Sequence, residues 1–268
     1  MTFSDLALSR RLERAEGHAA AKFAEARRRL FPASGAECMQ CAGAYVVFDG
    51  VDSPVTQTFG LGMFEEISDA SLDTIEQFFR DRGSPVMHEV SPLAGVPSLD
   101  LLCARGYRPI EISSVLCRPV EAPVPAAGKI DVRIIDASEA ELWTRISAVG
   151  WSHEHPELQD FLIEIGTLCV AREDSLCFLA EIDGEPGAAG ALCIHEGVAL
   201  FAGSSTIPEL RRRGLQAALL EERMRYACEH GCDLAMMVAQ AGSGSQRNAE
   251  RQGFRIAYTR TKWRLHRG

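Results

Sequence analysis

No stretch of the 268 residues reaches the roughly 18 consecutive apolar residues that a membrane-spanning helix requires, so no membrane partner is expected. Positive charge is also short. The sequence carries 28 Lys and Arg against 37 Asp and Glu, a formal net charge of −9, and such a chain repels phosphate backbones as a whole. Nucleic acid is therefore not an expected partner, and any anion site must be a local basic patch. An uninterrupted apolar core near the N-terminus is missing, because Asp5, Arg10, Arg11, Glu13 and Arg14 break it. A secretory signal is not expected, and a cytoplasmic location is. The pattern G-x-x-x-x-G-K-[ST] is absent, which weakens any reading as a P-loop nucleotide-binding protein. A second C-x-x-C with ligand spacing is absent too, so Cys38-Met39-Gln40-Cys41 reads as structural and no metal is expected. The nine cysteines are odd in number and sit in apolar contexts such as Leu176-Cys177-Phe178 and Leu192-Cys193-Ile194, as reduced thiols used for packing do.

What is present describes a globular chain, 46% hydrophobic and 24% charged. Leu6, Leu12, Ala15, Ala19, Phe23, Ala26 and Leu30 recur at helical spacing, predicting an amphipathic helix over residues 4–30 that ends before Pro32. Strands are expected at Ala44–Phe48, Val55–Met63 and Val86–Val90. A helix capped by Ser68 or Asp69 runs to Gly83, a short helix fits Ser98–Arg105, and Gly106-Tyr107 opens a strand pair. The segment Arg118–Lys129, with Pro119, Pro123 and Pro125, reads as a linker. Beyond it come a strand at Val132–Ile135, helices at Ser138–Val149 and Glu157–Cys169, and strands at Leu176–Ile182, Gly187–Ile194 and Val198–Ser204. The rest comprises a helix after Gly214, a strand at Leu234–Val238, a short helix before Gly253 and a closing pair around Ile256–Trp263. An antiparallel meander alternating with crossover helices predicts an α+β fold with a mixed, mostly antiparallel sheet flanked by helices.

The two halves resemble each other. "IEQFFRDRG" ends at Gly83 and "LLCARGY" places Gly106, while "RMRYACEHG" ends at Gly231 and "NAERQGF" places Gly253. Matching order at nearly constant separation argues for an internal duplication, with domains at 1–120 and 130–268.

One stretch carries candidate chemistry. "IPELRRRGLQAALL", Ile207 to Leu220, joins an apolar strand to a helix whose Leu220, Met224, Ala227 and Cys228 share one face. A strand, loop and helix start leaves backbone N–H groups unpaired beside the positive end of the helix dipole, which together make an anion site. Gly214 lets the backbone approach a bulky ligand. Arg211, Arg212 and Arg213 oppose the dipole, as expected where an anionic guest offsets the repulsion. A solvated basic turn is the plainer alternative.

This stretch resembles the acyl-CoA motif of the GNAT N-acetyltransferase superfamily, R/Q-x-x-G-x-G/A, on which Arg211, Gly214 and Gln216 fall. Gln216 stands where the motif usually has a small residue, which narrows the room but leaves its amide. The order of elements from Val132 to His266, with Gly253-Phe254 at the end, is similar as well. The resemblance implies two tandem GNAT-like domains. The first copy is degenerate, because "GLGMFEEISDASL" has no arginine-glycine loop before its helix. It further implies acetyl-CoA as cosubstrate, its diphosphate held by the amides of the loop and of Leu215, Gln216 and Ala217, and its pantetheine paired with main-chain groups of Thr206 and Ile207. The implied reaction is direct acyl transfer to an amine, helped by positioning and by a strand amide facing the developing oxyanion.

Acid and base candidates are sparser. Members of the family place a tyrosine four residues before the closing glycine, where this chain has Ala249; Asn248 beside it and Ser245 one turn earlier are the polar groups left to approach the cofactor near its sulfur. His195 falls at a hairpin tip and is set aside. His153 and Glu154, in Trp151-Ser152-His153-Glu154-His155, lie where the resemblance places the acceptor pocket and are the base candidates, against a solvated polar loop as the alternative. His88 and Glu89 would serve only if they faced a cleft. The expected protein is an N-acetyltransferase acting on a small-molecule amine, with a homodimer left open. The competing expectation is a non-catalytic acyl-CoA sensor or scaffold.

Overall fold

The computed structural model describes residues 4–121, 130–152 and 156–266. Two compact units emerge, one formed by Met1–Arg118 with Met236–Gly268 and the other by Pro119–Ala235. Among the described residues no helix is long and apolar enough to cross a membrane.

The first unit begins with α1 (Leu6–Leu30), where Asp5 caps the helix by accepting from the Leu8 amide at 2.8 Å. Strands β1 (Glu37–Cys41), β2 (Ala44–Phe48) and β3 (Gln57–Phe59) follow as an antiparallel run. The expected strand from Val55 to Met63 is cut short because Gly60 and Gly62 adopt positive φ. Helix α2 (Asp69–Arg80) buries Leu72, Ile75, Phe78 and Phe79 and leads into β4 (Met87–Val90), which lies parallel to β3. Helix α3 (Val96–Ala104) then precedes one long strand, β5 (Tyr107–Pro119), in place of the expected pair. That strand takes in Arg118 and Pro119; the rest of the linker reading, residues 122–129, lies outside the described residues.

The second unit is built on a different run of chain. Strand β6 (Ile130–Ile134), helices α4 (Ala140–Ser152) and α5 (Gln159–Ala171), and strands β7 (Ser175–Ile182), β8 (Glu185–His195) and β9 (Val198–Thr206) form an antiparallel sheet in the order β6-β7-β8-β9, covered by α6 (Leu215–Glu229). Trp143 anchors α4 on this sheet, its buried indole donating to the Phe178 carbonyl at 2.9 Å. The chain continues through β10 (Leu234–Gln240) and α7 (Gly244–Arg251) to β11 (Arg255–Leu265).

Strand β11 is where spatial and sequence order part. It inserts between β4 and β5, antiparallel to both, with Lys262 opposite Glu89 and Thr259 opposite Ser114. The division at 1–120 and 130–268 follows chain order, whereas the first unit's sheet is completed by the last strand.

Period-two alternation turns Tyr258, Arg260 and Lys262 of β11 to one face, toward α1. Arg260 is 2% exposed there and faces three carboxylates. It meets Glu13 at 3.4 Å, Glu16 at 2.7 Å and Glu89 at 3.1 Å, while Lys262 approaches Glu89 at 3.5 Å. Burial is the main force that raises the Glu13 carboxyl from its ordinary 4.5 to about 7; Arg260 opposes it, Glu16 adds to it and the Tyr258 hydroxyl, 2.8 Å away, opposes it. A raised carboxyl holds its proton in the folded state over a range where the unfolded chain has released it. Its stabilising contribution is complete below about pH 4.5 and is lost as pH rises to about 7. Glu13→Gln removes this titration. Its stability relative to wild type is expected to improve by about 3 kcal/mol between pH 5 and pH 8, read by urea unfolding. A difference independent of pH would refute the assignment.

His88 lies on the opposite face, fully buried beside Tyr107 at a ring distance of 4.9 Å, and desolvation pushes its pKa down to about 3. Neither His88 nor the ion-paired Glu89 faces an open cleft, which removes both as base candidates. Cys38 and Cys41 sit three apart on β1 and so point to opposite faces; burial pushes the Cys38 thiol up to about 11, consistent with a structural role.

Candidate functional site

The β9-to-α6 connection lies wholly within the second unit. Apolar residues carry β9 into the sheet, and Pro208 stops it by opening a single 3-10 turn at Pro208–Leu210, whose Leu210 is buried. Arg211 is extended. Arg212 then adopts φ of +63° and Gly214 φ of +92° before α6 begins. A non-glycine residue in this region costs about 1–2 kcal/mol, so Arg212 marks a strained turn, and strain of this kind gathers at ligand sites.

The curl has a direct consequence for hydrogen bonding. Helix α6 has Gly214 as its N-cap, with no side-chain cap and no acidic residue in its first turn. The first helical bond runs from the Ala218 amide to the Gly214 carbonyl at 3.1 Å. Among the described residues, none of the backbone amides from Arg212 to Ala217 donates to a protein acceptor. Six consecutive donors thus surround the positive end of a 15-residue helix dipole. Backbone amides curled in this way form an anion-binding concavity.

The side chains brace this cradle instead of filling it. Arg211 reaches back to the carbonyls of Thr206 at 3.3 Å and Gly150 at 3.1 Å, fastening the loop to β9 and α4. Arg213 pairs with Asp183 at 3.3 Å on the exposed side. Of the three arginines expected to supply charge to an anion, only Arg212 has no carboxylate or carbonyl partner among the described residues. Gln216 turns its amide group onto the Ser205 carbonyl and the Thr206 hydroxyl, both at 2.7 Å, and leaves its backbone N–H free. Ser205 is held in turn by its hydroxyl to the Ser147 carbonyl at 3.1 Å.

Strand alternation separates the two residues expected to meet pantetheine. The Ile207 amide donates to the Gly187 carbonyl at 2.9 Å, so this pair is a hydrogen-bonded one. Its neighbour, Thr206 opposite Ala188, is then a non-bonded pair whose main-chain groups face away from β8. On that side the Thr206 carbonyl accepts from Arg211 at 3.3 Å, and the Ile207 amide is taken by β8.

Ser245 and Asn248 are one turn apart and exposed on α7, in the first unit, while Ala249 between them and the core is buried. His153 and Glu154 lie outside the described residues. Among the described residues no group of three or more His, Cys, Asp or Glu is placed to hold a metal ion.

The first unit contains the matching junction, a strand (β3), a loop and a helix (α2) leading to a parallel strand (β4). Its chemistry is reversed. Ser68 and Ser71 form a reciprocal capping box that closes the start of α2, Asp69 sits in its first turn, and Glu65 and Glu66 precede it. An anion meets carboxylates and satisfied donors there, which is the physical content of a degenerate copy.

Comparison with known proteins agrees with this geometry. Residues 138–254 match the model of the acetyltransferase (GNAT) family. That segment, less than half of the chain, is similar to a GNAT acetyltransferase domain. A GCN5-related N-acetyltransferase from Kribbella flavida superposes with a TM-score of 0.63 at 20% identity, covering 93% of this chain and 96% of that one. A conserved protein of unknown function from Staphylococcus epidermidis gives 0.63 at 6% identity over 87% and 94% of the two chains. A tandem GNAT protein from the clavulanic acid biosynthesis pathway gives 0.54 at 14% identity over 84% and 79%. No curated protein matches the sequence. The fold is thus a tandem GNAT arrangement, mixed α+β with mostly antiparallel strands, and the GNAT family is one of acyltransferases that use acyl-CoA.

Proposed function

We propose that the second unit binds acetyl-CoA and transfers its acetyl group to the amine of a small molecule. The observation that carries this reading is the run of free amides from Arg212 to Ala217 at the uncapped mouth of α6. A diphosphate matches it in charge and in the number of acceptor oxygens, and Arg212 adds a cation at the rim. Thr206 turns its amide to the edge of β9 away from β8, where it would pair with an extended amide chain as an added strand would. Acetyl-CoA supplies the activated thioester.

The chain's own contribution is chiefly positioning, holding acyl donor and amine together so that a C–N bond forms as the C–S bond breaks. The amine must lose a proton and the departing thiolate must gain one. His153 and Glu154 are proposed for the first task on sequence grounds, and Ser245 and Asn248 as polar neighbours of the sulfur. The buried Ala249, where the family pattern has tyrosine, favours one rival, an acyl-CoA sensor that binds without turnover.

Titration calorimetry with CoA and with pantetheine, which lacks the diphosphate, tests the binding claim: saturable heat with CoA alone is expected. No heat with CoA from a folded sample would end this reading. Release of free thiol from acetyl-CoA with a panel of polyamines, amino acids and aminoglycosides then separates enzyme from sensor.

A further inference from the structure

Helix α6 buries Arg223 completely, at 1% exposure, on the face that packs against the sheet. Among the described residues no carboxylate pairs with it, and it has no partners beyond three contacts. Its Nε donates to the Leu219 carbonyl of its own helix at 3.0 Å, its Nη1 donates to the Ala191 carbonyl of β8 at 3.0 Å, and its guanidinium stacks over the Phe201 ring at 5.0 Å. Desolvation holds its pKa down to about 10, so it remains charged at neutral pH. A buried cation without an anion is costly, and a leucine or methionine at this spacing would pack the helix at no such cost.

What lies above it accounts for the exception. The register of β8 and β9 slips between Ala189 opposite Ser205 and Ala191 opposite Ala202, so Gly203 and Ser204 bulge out against Gly190 alone. Gly203 takes φ of +59° to make this bulge. Gly190 is the residue that admits the guanidinium, since a Cβ there would stand 3.0 Å from Nη1 of Arg223 and 3.3 Å from the Ser204 hydroxyl. Bulging frees main-chain groups that β8 no longer pairs. These lie within a few residues of Thr206, on the strand assigned to the acyl donor.

From this arrangement we infer that Arg223 is a positioning residue for acyl transfer: it braces the strands beside the β9 bulge, at Ala191 and Phe201, and sets an unneutralised positive charge beneath the amides that face the thioester oxygen. The inference rests on the acetyl-CoA reading above. As negative charge develops on that oxygen, a preorganised cation in a dry interior strengthens the stabilisation given by the amides. A carboxylate partner would cancel the effect, which explains why none is present.

Two variants separate the charge from the prop. Arg223→Lys keeps a cation, while Arg223→Gln keeps a donor for the Ala191 carbonyl and removes the charge. The carbonyl stretch of bound acetyl-CoA, labelled with ¹³C at the thioester carbon, is read by infrared difference spectroscopy, and CoA affinity is read by calorimetry. The expected result is a red-shifted band in wild type and in Arg223→Lys that returns toward the free frequency in Arg223→Gln, with CoA affinity within about threefold throughout. With the best acceptor of the amine panel, kcat is expected to fall about tenfold or more in Arg223→Gln with KM for acetyl-CoA little changed, and to recover in part in Arg223→Lys. Equal bands and equal losses in the two variants would reduce Arg223 to a structural prop and overturn the inference alone. Absence of CoA binding in wild type overturns the acetyl-CoA reading and this inference with it.

Discussion

Arg260→Met is expected to cost 3–5 kcal/mol of stability at pH 8, enough to leave much of the chain unfolded if its total stability is near the lower end of the usual range. The side chain is almost wholly buried, and Glu13, Glu16 and Glu89 converge on it from α1 and β4. Methionine fills the volume but leaves the carboxylates facing one another, with only Lys262 near Glu89 to offset them. Protonation is their remaining relief. The loss should therefore shrink on acidification, the reverse of an ordinary packing defect, which does not titrate. Urea unfolding followed by circular dichroism at pH 8 and pH 5 measures both quantities. Adding Glu13→Gln to Arg260→Met should recover part of the loss at pH 8 and little at pH 5, where Glu13 already carries its proton. A penalty under 1 kcal/mol at pH 8, or one that grows at pH 5, would show that this cluster does not hold β11 in the first sheet.

How much of this could be read in the sequence depended on distance along the chain. The β9-to-α6 junction was legible because every signal is local: an apolar strand, Pro208 to end it, Gly214 to start a helix, and Leu220 and Met224 to orient that helix. The degenerate first copy was legible for the same reason, since "GLGMFEEISDASL" has no arginine-glycine loop before its helix. The placement of β11 was not. Its partners are fixed by contacts such as Arg260 with Glu13, which lie 247 residues apart, and nothing in either local pattern names the other. Arg212 shows a second kind of opacity, because arginine has no preference for positive φ and only the fold requires it there. Arg223 shows a third: a charged residue in an amphipathic helix reads as part of the solvated face, and only Gly190 and the bulge opposite it make an interior place for the guanidinium. Strand β1 carries little local signal, because Gln40 lacks strand character and the spacing of Cys38 and Cys41 equally suits a ligand pair.

Gly214→Val is expected to weaken CoA binding at least 100-fold while leaving a folded protein. At φ of +92° the backbone is open to glycine and strongly unfavourable for a β-branched residue, and a Cβ there would stand 3.3 Å from Cδ1 of Ile130. The chain must rotate out of this conformation. Rotation re-aims the amides on either side, those of Gly214 and Leu215, which occupy the middle of the free run. Losing two hydrogen bonds to a charged acceptor, at about 1.5–3 kcal/mol each, accounts for the 100-fold figure with margin. Because the site is at the exposed mouth of the helix, the accompanying stability loss should be about 1–3 kcal/mol. Arg212→Gly supplies the decisive contrast. It removes a cation but suits the positive φ already present, so the amide cradle keeps its shape and CoA affinity should fall less than tenfold, mainly at low salt where a single exposed charge matters most. If calorimetry instead finds Arg212→Gly as damaging as Gly214→Val, then side-chain charge and not the curled backbone holds the anion. The unpartnered amides would then be an ordinary solvated helix end.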